Sequence, residues 1–373
     1  MTIIQNGSRG PLVSFLQLTL KDLNLYSGNI DGIFGNLTLN AVKTFQTNNN
    51  IIPDGIVNEF TWNALLKYMK VPTTIPYTYD ILMLNLLSFK TKYSFLVTGS
   101  IGESVMNKSI SYIKIGDGAK RLLYVAGTHS NEWITCPLLM KFIEDYADKY
   151  ISNSSISNIL ANDIFTTSTI YIVPMLNPDG IDLVTGVLNK NSNEYLNAIS
   201  IANNFPNIRF PDGWKANIQG IDLNLQFPAG WDQAREIKFN QGFTTYAPRD
   251  FVGNFPLEAP ESLALYDFTI DNKFDIMLTY HSQGEVIFWK FLDFNPQNSQ
   301  NIGEEFARLS GYTLQDTPYA SSFAGFKDWF IQTYNLPGYT IEVGLGTNPL
   351  PISQFDKIYN DNIGILTRAP FLI

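Results

Sequence analysis

The chain has 373 residues, 45% of them hydrophobic and only 16% charged, which supplies a sizeable core and excludes wholesale disorder. A net charge of −9 argues against a nucleic-acid surface, which would be expected to be basic. The single cysteine, Cys136, excludes an intramolecular disulfide and leaves the redox compartment open. The length suits a small module followed by a larger domain.

In chain order, the start MTIIQNGSRGPLV lacks the charged, then apolar, then small-residue pattern of a signal peptide. Residues 5–70 place apolar side chains at helical spacing three times: Val13, Leu16 and Leu20, then Leu39, Val42 and Phe45, then Trp62, Leu65 and Leu66. The connectors IDGIFG and PDGIV are Asp-Gly turns, so a three-helix unit over residues 1–70 is expected. No internal repeat of fixed period is visible. The proline- and threonine-rich stretch 71–80 is expected to be a linker, with a second domain from 81 to 373.

Beyond the linker, RLLYVAGT, TIYIVPML, IMLTYHS and GYTIEVG are strand candidates. CPLLMKFIEDYADKY is a helix with Thr135 as N-cap and Pro137 in its first turn. Interleaved strands and helices imply an α/β layered sheet. No stretch reaches the roughly 18 apolar residues of a membrane span, so none is expected.

The first segment resembles the peptidoglycan-binding domain of bacterial cell-wall hydrolases. The match rests on the entry GPLV, Asp31-Gly32-Ile33-Phe34-Gly35, Ala41-Val42, Phe45-Gln46, and Asp54-Gly55-Ile56-Val57 before Trp62. That resemblance implies cell-wall binding, against the alternative of a helical stability or oligomerisation module without a ligand.

Only two histidines exist, so any histidine chemistry falls on His129 or His281. Three strand candidates end on polar residues that a core would reject: His129 and Glu132 after YVAGT, His281 after MLTY, and Glu342 after GYTI. Ligands and chemistry collect beyond the carboxyl ends of such strands. Imidazole and carboxylate suit zinc, and a catalytic site offers three protein ligands with a fourth position open. A structural zinc site would call for a fourth ligand, and no further histidine is present.

The H-x-x-E pair, Asn177-Pro178-Asp179-Gly180, Asp222-Leu223-Asn224, His281-Ser282 and Thr340-Ile341-Glu342 occur in the order seen in zinc metallocarboxypeptidases. The phrases NEWITCPLLMKF, DLNLQFPAGW, YHSQGEVIFW and TIEVGLGTNPLP are similar to the bacterial γ-D-glutamyl-meso-diaminopimelate peptidases of that family. The resemblance implies a mixed, mostly parallel twisted sheet flanked by helices. It implies one Zn²⁺ per chain on His129, Glu132 and His281, with Glu342 taking a proton from the activated water and passing it to the leaving amine. Lys215, in Trp214-Lys215-Ala216-Asn217, takes the place of the family's oxyanion-stabilising arginine, with Arg209 as a rival. Tyr319 corresponds to the mobile tyrosine, one residue out of register.

Where carboxypeptidases carry an Asn-Arg pair that grips a terminal carboxylate, this chain has Asn224-Leu225. Leucine cannot make that bidentate contact, so end recognition is expected to be relaxed. Asn224 and Arg249 remain as substrate contacts, Arg249 equally as half of a structural ion pair. The implied function is a peptidoglycan endopeptidase acting at the bacterial cell wall. Such an enzyme would serve as a phage endolysin or in spore-former wall remodelling. Lacking a signal peptide, it would stay cytoplasmic until freed by lysis, a holin or a mother cell. The alternatives are a zinc carboxypeptidase releasing C-terminal residues, and a wall-binding protein without catalysis. Asn177-Pro178-Asp179-Gly180 is expected to shape the site, and Cys136 to be a buried free thiol.

Overall fold

A computed structural model describes residues 1–373, and its contacts divide the chain into two compact units, Met1–Leu96 and Val97–Ile373. In the first unit, helices α1 (Pro11–Asp22), α2 (Asn36–Asn48) and α3 (Glu59–Leu65) are joined by a fourth, α4 (Tyr79–Lys92). The stretch expected as a linker and the start of a second domain therefore continues the first unit. Ser88 Oγ on α4 donates to Leu66 O at 2.7 Å, and Lys92 Nζ donates to Met69 O at 2.8 Å. Ile81, Leu82, Leu84 and Phe89 are buried on it. These apolar residues follow the proline-rich stretch immediately, which is why composition alone put the boundary too early.

The unit is built on a motif used twice. Gln17 is fully buried; its amide nitrogen donates to Asp31 Oδ1, Ile33 O and Thr38 Oγ1, while Oε1 accepts from the Asp31 and Gly32 amides. Gln46, also fully buried, donates to Asp54 Oδ1, Ile56 O and Thr61 Oγ1 and accepts from the Gly55 amide. Each Asp-Gly-Ile turn is thus pinned by a glutamine on the preceding helix. The spacing differs, 14 residues from Gln17 to Asp31 and 8 from Gln46 to Asp54, so no fixed period shows in the sequence.

The second unit carries strands β1 (Val97–Glu103), β2 (Ser109–Ile115), β3 (Lys120–Val125), β4 (Ser155–Ile156), β5 (Ile159–Leu160), β6 (Ser168–Val173), β7 (Ile276–Ser282), β8 (Val286–Phe288), β9 (Thr313–Gln315) and β10 (Gly338–Val343). Eight form one sheet in the order β1-β2-β6-β3-β7-β10-β8-β9, while β4 and β5 make a small ribbon. The central pairs β6–β3, β3–β7 and β7–β10 are parallel, as is β8–β9; the remaining pairs are antiparallel. This is the mixed, mostly parallel sheet the resemblance implied.

Every residue of β7 is buried, which is why it reads as a near-continuous apolar run. Alternate residues serve opposite faces. Leu123, Val125 and Met277 join a core with Leu265 of α6 (Pro260–Asn272) and Phe326, Trp329 and Phe330 of α7 (Phe326–Tyr334). On the other face, Tyr124 packs against Phe142 of α5 (Thr135–Ile151), and its hydroxyl donates to Leu366 O of α8 (Phe355–Arg368). Helix α5 begins at Thr135 itself, with Ile134 at the N-cap, one residue earlier than a Thr135 N-cap would place it. The Thr135 hydroxyl instead donates to Glu132 O at 2.8 Å and accepts from the Gly127 amide.

Candidate active site

Three neighbouring parallel strands deliver the polar residues. After β3 the chain turns through Gly127, at φ 64°, where an added Cβ would meet Cys136 Sγ at 2.7 Å. It reaches His129 and a single 3-10 turn, Ser130–Glu132. His281 is the penultimate residue of β7, and in the parallel register of β7 with β10 it stands opposite Glu342.

His129, Glu132 and His281 are all buried, at 8%, 2% and 0% exposure. Their inward atoms form a triangle: His281 Nδ1 to His129 Nδ1 is 3.1 Å, His281 Nδ1 to Glu132 Oε2 3.0 Å, and His129 Nδ1 to Glu132 Oε1 3.1 Å. Both outward nitrogens are engaged elsewhere, His129 Nε2 with Asp222 Oδ1 at 3.2 Å and His281 Nε2 with Thr279 Oγ1 at 3.2 Å. A proton on each Nε2 leaves two Nδ1 lone pairs and a carboxylate converging on one point, an arrangement that a cation satisfies and a hydrogen-bond network does not. Zinc bonds of about 2.0–2.1 Å in a tetrahedron give donor–donor edges of about 3.3 Å, close to those found. The residues fit one zinc ion.

The electrostatics express the same crowding of negative charge. Burial pulls the His129 imidazole down, but Glu132 and Asp222 outweigh it and hold it up at about 9. Burial also raises Asp222, yet the His129 contact overcomes this and holds its carboxyl well below the usual range. Glu342 stands half-buried at the cavity wall without a hydrogen bond of its own; loss of solvent and the Glu132 carboxylate push it up to about 8.

Sequence reasoning passed over Asp222 and Asn348 as site residues. Asp222 orients His129 and accepts from the Asn224 and Asp250 amides; its signal was the Asp-x-Asn motif already noted. Asn348 donates to Ser282 O at 2.6 Å and to Glu132 Oε1 at 3.4 Å, and nothing in its local sequence marks it. Asn177 shapes the site as expected: its amide donates to Thr128 O, Ser130 Oγ and Ala216 O, tying the metal turn to the Lys215 segment. Cys136 is fully buried, and burial pushes its thiol up, away from nucleophilic use.

Two cavities meet here, an open cleft of about 790 Å³ and a smaller one of about 220 Å³, and Lys215, Arg249 and Glu342 line both. Lys215 Nζ lies 2.8 Å from Glu132 Oε1. Arg249 Nε pairs with Asp250 Oδ2 at 2.5 Å, while Asn224 and Leu225 line the smaller cavity. Arg209 lines the open cleft but is paired with Asp212 and largely exposed. Tyr319 is not brought to the site. It is 69% exposed, outside both cavities, and its ring packs edge-on against Phe323 at 5.0 Å.

The sequence profile of the zinc carboxypeptidase family matches residues 85–364, and that of a peptidoglycan binding domain matches residues 9–65. The chain belongs to the zinc carboxypeptidase family. It is a zinc metallopeptidase, carrying a peptidoglycan-binding domain at its N-terminal side. A similar relative is the gamma-D-glutamyl-L-diamino acid endopeptidase 1 of Lysinibacillus sphaericus, 43% identical over 79% of this chain and 72% of its own. The uncharacterized protein YqgT of Bacillus subtilis (strain 168) is 38% identical over 75% of this chain and 73% of its own. Among solved structures, thrombin activatable fibrinolysis inhibitor superposes with a TM-score of 0.63 at 15% identity, covering 88% of this chain and 79% of that one, a likeness of fold. No helix of this zinc carboxypeptidase relative is long and apolar enough to cross a membrane.

Proposed function

We propose that this protein is a peptidoglycan hydrolase that cleaves the γ-D-glutamyl–meso-diaminopimelate amide of cell-wall stem peptides. The observation that carries hydrolysis is the triangle of three donor atoms beside a carboxyl that has no partner of its own. His129, Glu132 and His281 would hold the zinc, with Asp222 fixing the His129 tautomer. Bound there, zinc supplies Lewis-acid polarisation of the scissile carbonyl and acidifies water to a pKa of about 7. Glu342 accepts the water's proton on its carboxylate and hands it to the departing nitrogen, a role its raised proton affinity suits. Lys215 offers its ammonium to the developing oxyanion, as a point charge where an arginine would offer a fork.

The choice of bond rests on the named relative, at 43% identity, and on Leu225 standing at the smaller cavity in place of a carboxylate-gripping arginine. Asn224 and Arg249 contact the substrate from that wall. The N-terminal unit keeps the enzyme on the wall, raising the local concentration of stem peptides. The test is mass spectrometry of the purified protein with L-Ala-γ-D-Glu-meso-diaminopimelate peptides. Release of L-Ala-D-Glu is expected. Chelation should abolish it, and Glu342→Gln should slow it roughly 10²- to 10⁴-fold with zinc content unchanged. Removal of C-terminal residues alone would favour an exopeptidase instead, and no release from a zinc-loaded protein would favour a wall binder.

A further inference from the structure

The second unit carries a third cavity, of about 500 Å³, which shares no lining residue with the two at the metal site. One wall of it continues the Lys215 segment, through Ile218, which is buried, and Gln219. Asn217, fully buried, fixes that wall. Its Oδ1 accepts from the Gln219 and Ile221 amides, each at 3.1 Å, and its Nδ2 donates to Glu261 Oε2 at 3.1 Å. Glu261 Oε1 accepts from the Val105 amide at the cavity edge. The Ala247 amide donates to Gly220 O at 3.0 Å, which brings Tyr246 alongside. Buried hydrogen bonds, rather than a ligand, hold the cavity in shape.

Another wall is one face of the helix Asn193–Asn203, where Glu194, Asn197 and Ile201 follow at i, i+3 and i+7, with Ser200 beside them. The side chains of Glu194, Asn197, Ser200 and Gln219 have no hydrogen-bond partner in the protein, so four polar groups open onto one hollow. Tyr246 adds an aromatic surface. Its hydroxyl donates to Glu258 Oε1 at 3.1 Å and accepts from Asn254 Nδ2 at 3.2 Å, while the residue stays 36% exposed. Glu194 is the one charged residue of the lining, and no cation accompanies it.

That lining selects a ligand. A phosphate or carboxylate would find no positive partner there and would face Glu194. The charged stem peptide belongs instead to the open cleft, lined by Lys215, Arg209 and Arg249. A wholly apolar ligand would strand two amides and a hydroxyl. A neutral sugar meets both kinds of surface, its hydroxyls on the polar side chains and its C–H face on Tyr246. An acetamido group completes the match, with an amide for Asn197 or Gln219 and a methyl for Ile201 and Ile218. We infer that this cavity binds N-acetylated amino sugars of a glycan strand, as a site separate from the N-terminal unit and from the catalytic cleft. A chain with a peptidoglycan-binding domain works where such strands are the surrounding polymer. The site is independent of which amide the enzyme cuts.

Isothermal titration of the zinc-loaded full-length protein with tetra-N-acetylchitotetraose tests this. Asn197→Ala should weaken binding at this site roughly 3- to 10-fold. Ser200→Trp, which fills the cavity from the helix side, should abolish it. Both positions are exposed, so the melting temperature should not change, and any binding by the N-terminal unit should survive in both variants. Titration curves of both variants that superpose on the wild type would overturn the inference, because the glycan would then bind elsewhere. So would a wild type that does not bind the oligosaccharide. Maltotetraose, which lacks acetamido groups, is expected to bind roughly 10-fold more weakly. Equal binding of the two sugars would overturn the assignment to amino sugars.

Discussion

At the scale of single residues, the site depends on groups that never touch substrate. Asp222 holds the outer nitrogen of His129, so Asp222→Ala should weaken zinc binding roughly 10- to 100-fold, measured by competition with a chelator. Glu261 is a second buried acid. Its oxygens accept from the Val105 amide and Asn217 Nδ2, but burial dominates and raises it to about 7. Because the folded value lies above the unfolded one, the native state binds more protons between pH 4.5 and 7, and stability is lost as pH rises through that window. The loss is at most about 3 kcal/mol. Thermal melts across pH 5–8 should therefore fall less steeply in Glu261→Gln than in the wild type; identical slopes would remove Glu261 as the cause. The metal set was legible because two histidines leave little choice, and the place of Glu342 because its motif closes a strand. Asn348 was not, since its place beside Glu132 and Ser282 depends on chain segments brought together only by folding.

At the scale of elements, what the sequence displays is periodicity, and what it conceals is pairing. The apolar runs of β3, β6, β7 and β10 and the stripe of α5 were readable, whereas the order of strands in the sheet was not. The duplicated glutamine motif was hidden by its unequal spacing, although both Asp-Gly-Ile turns were read as turns. Gln46→Ala should cost the N-terminal unit roughly 2–4 kcal/mol, because the Gly55 amide and the Ile56 carbonyl lose their buried partner. A melting temperature of that unit within a degree of the wild type would refute the motif's weight. Helix α4 is the element that composition misplaced: a proline-rich approach resembled a linker, and the apolar face that packs beside Leu66 and Met69 identifies it as part of the unit.

At the scale of the whole molecule, the division at Leu96 makes a concrete claim about fragments. A fragment of residues 1–96 should unfold cooperatively and bind purified cell walls, while 1–70, stripped of α4, should melt lower or not cooperatively; calorimetry and pull-down on sacculi read both. In the larger unit, His281 and Glu342 face each other across a parallel ladder at the centre of the sheet, and the residues that line the cavities around them come mostly from connecting segments. His281 and Glu342 are thus held by strand backbone, whereas His129, Glu132 and most of the cavity lining are held by connecting segments. Over evolutionary time the connecting segments other than 126–132 can be exchanged, lengthened or recharged while the ladder keeps His281 and Glu342 in step. A laboratory graft of the connecting segment 316–325, which brings Thr317, Ser321 and Gly325 to the smaller cavity, should change substrate preference while leaving the strands in place.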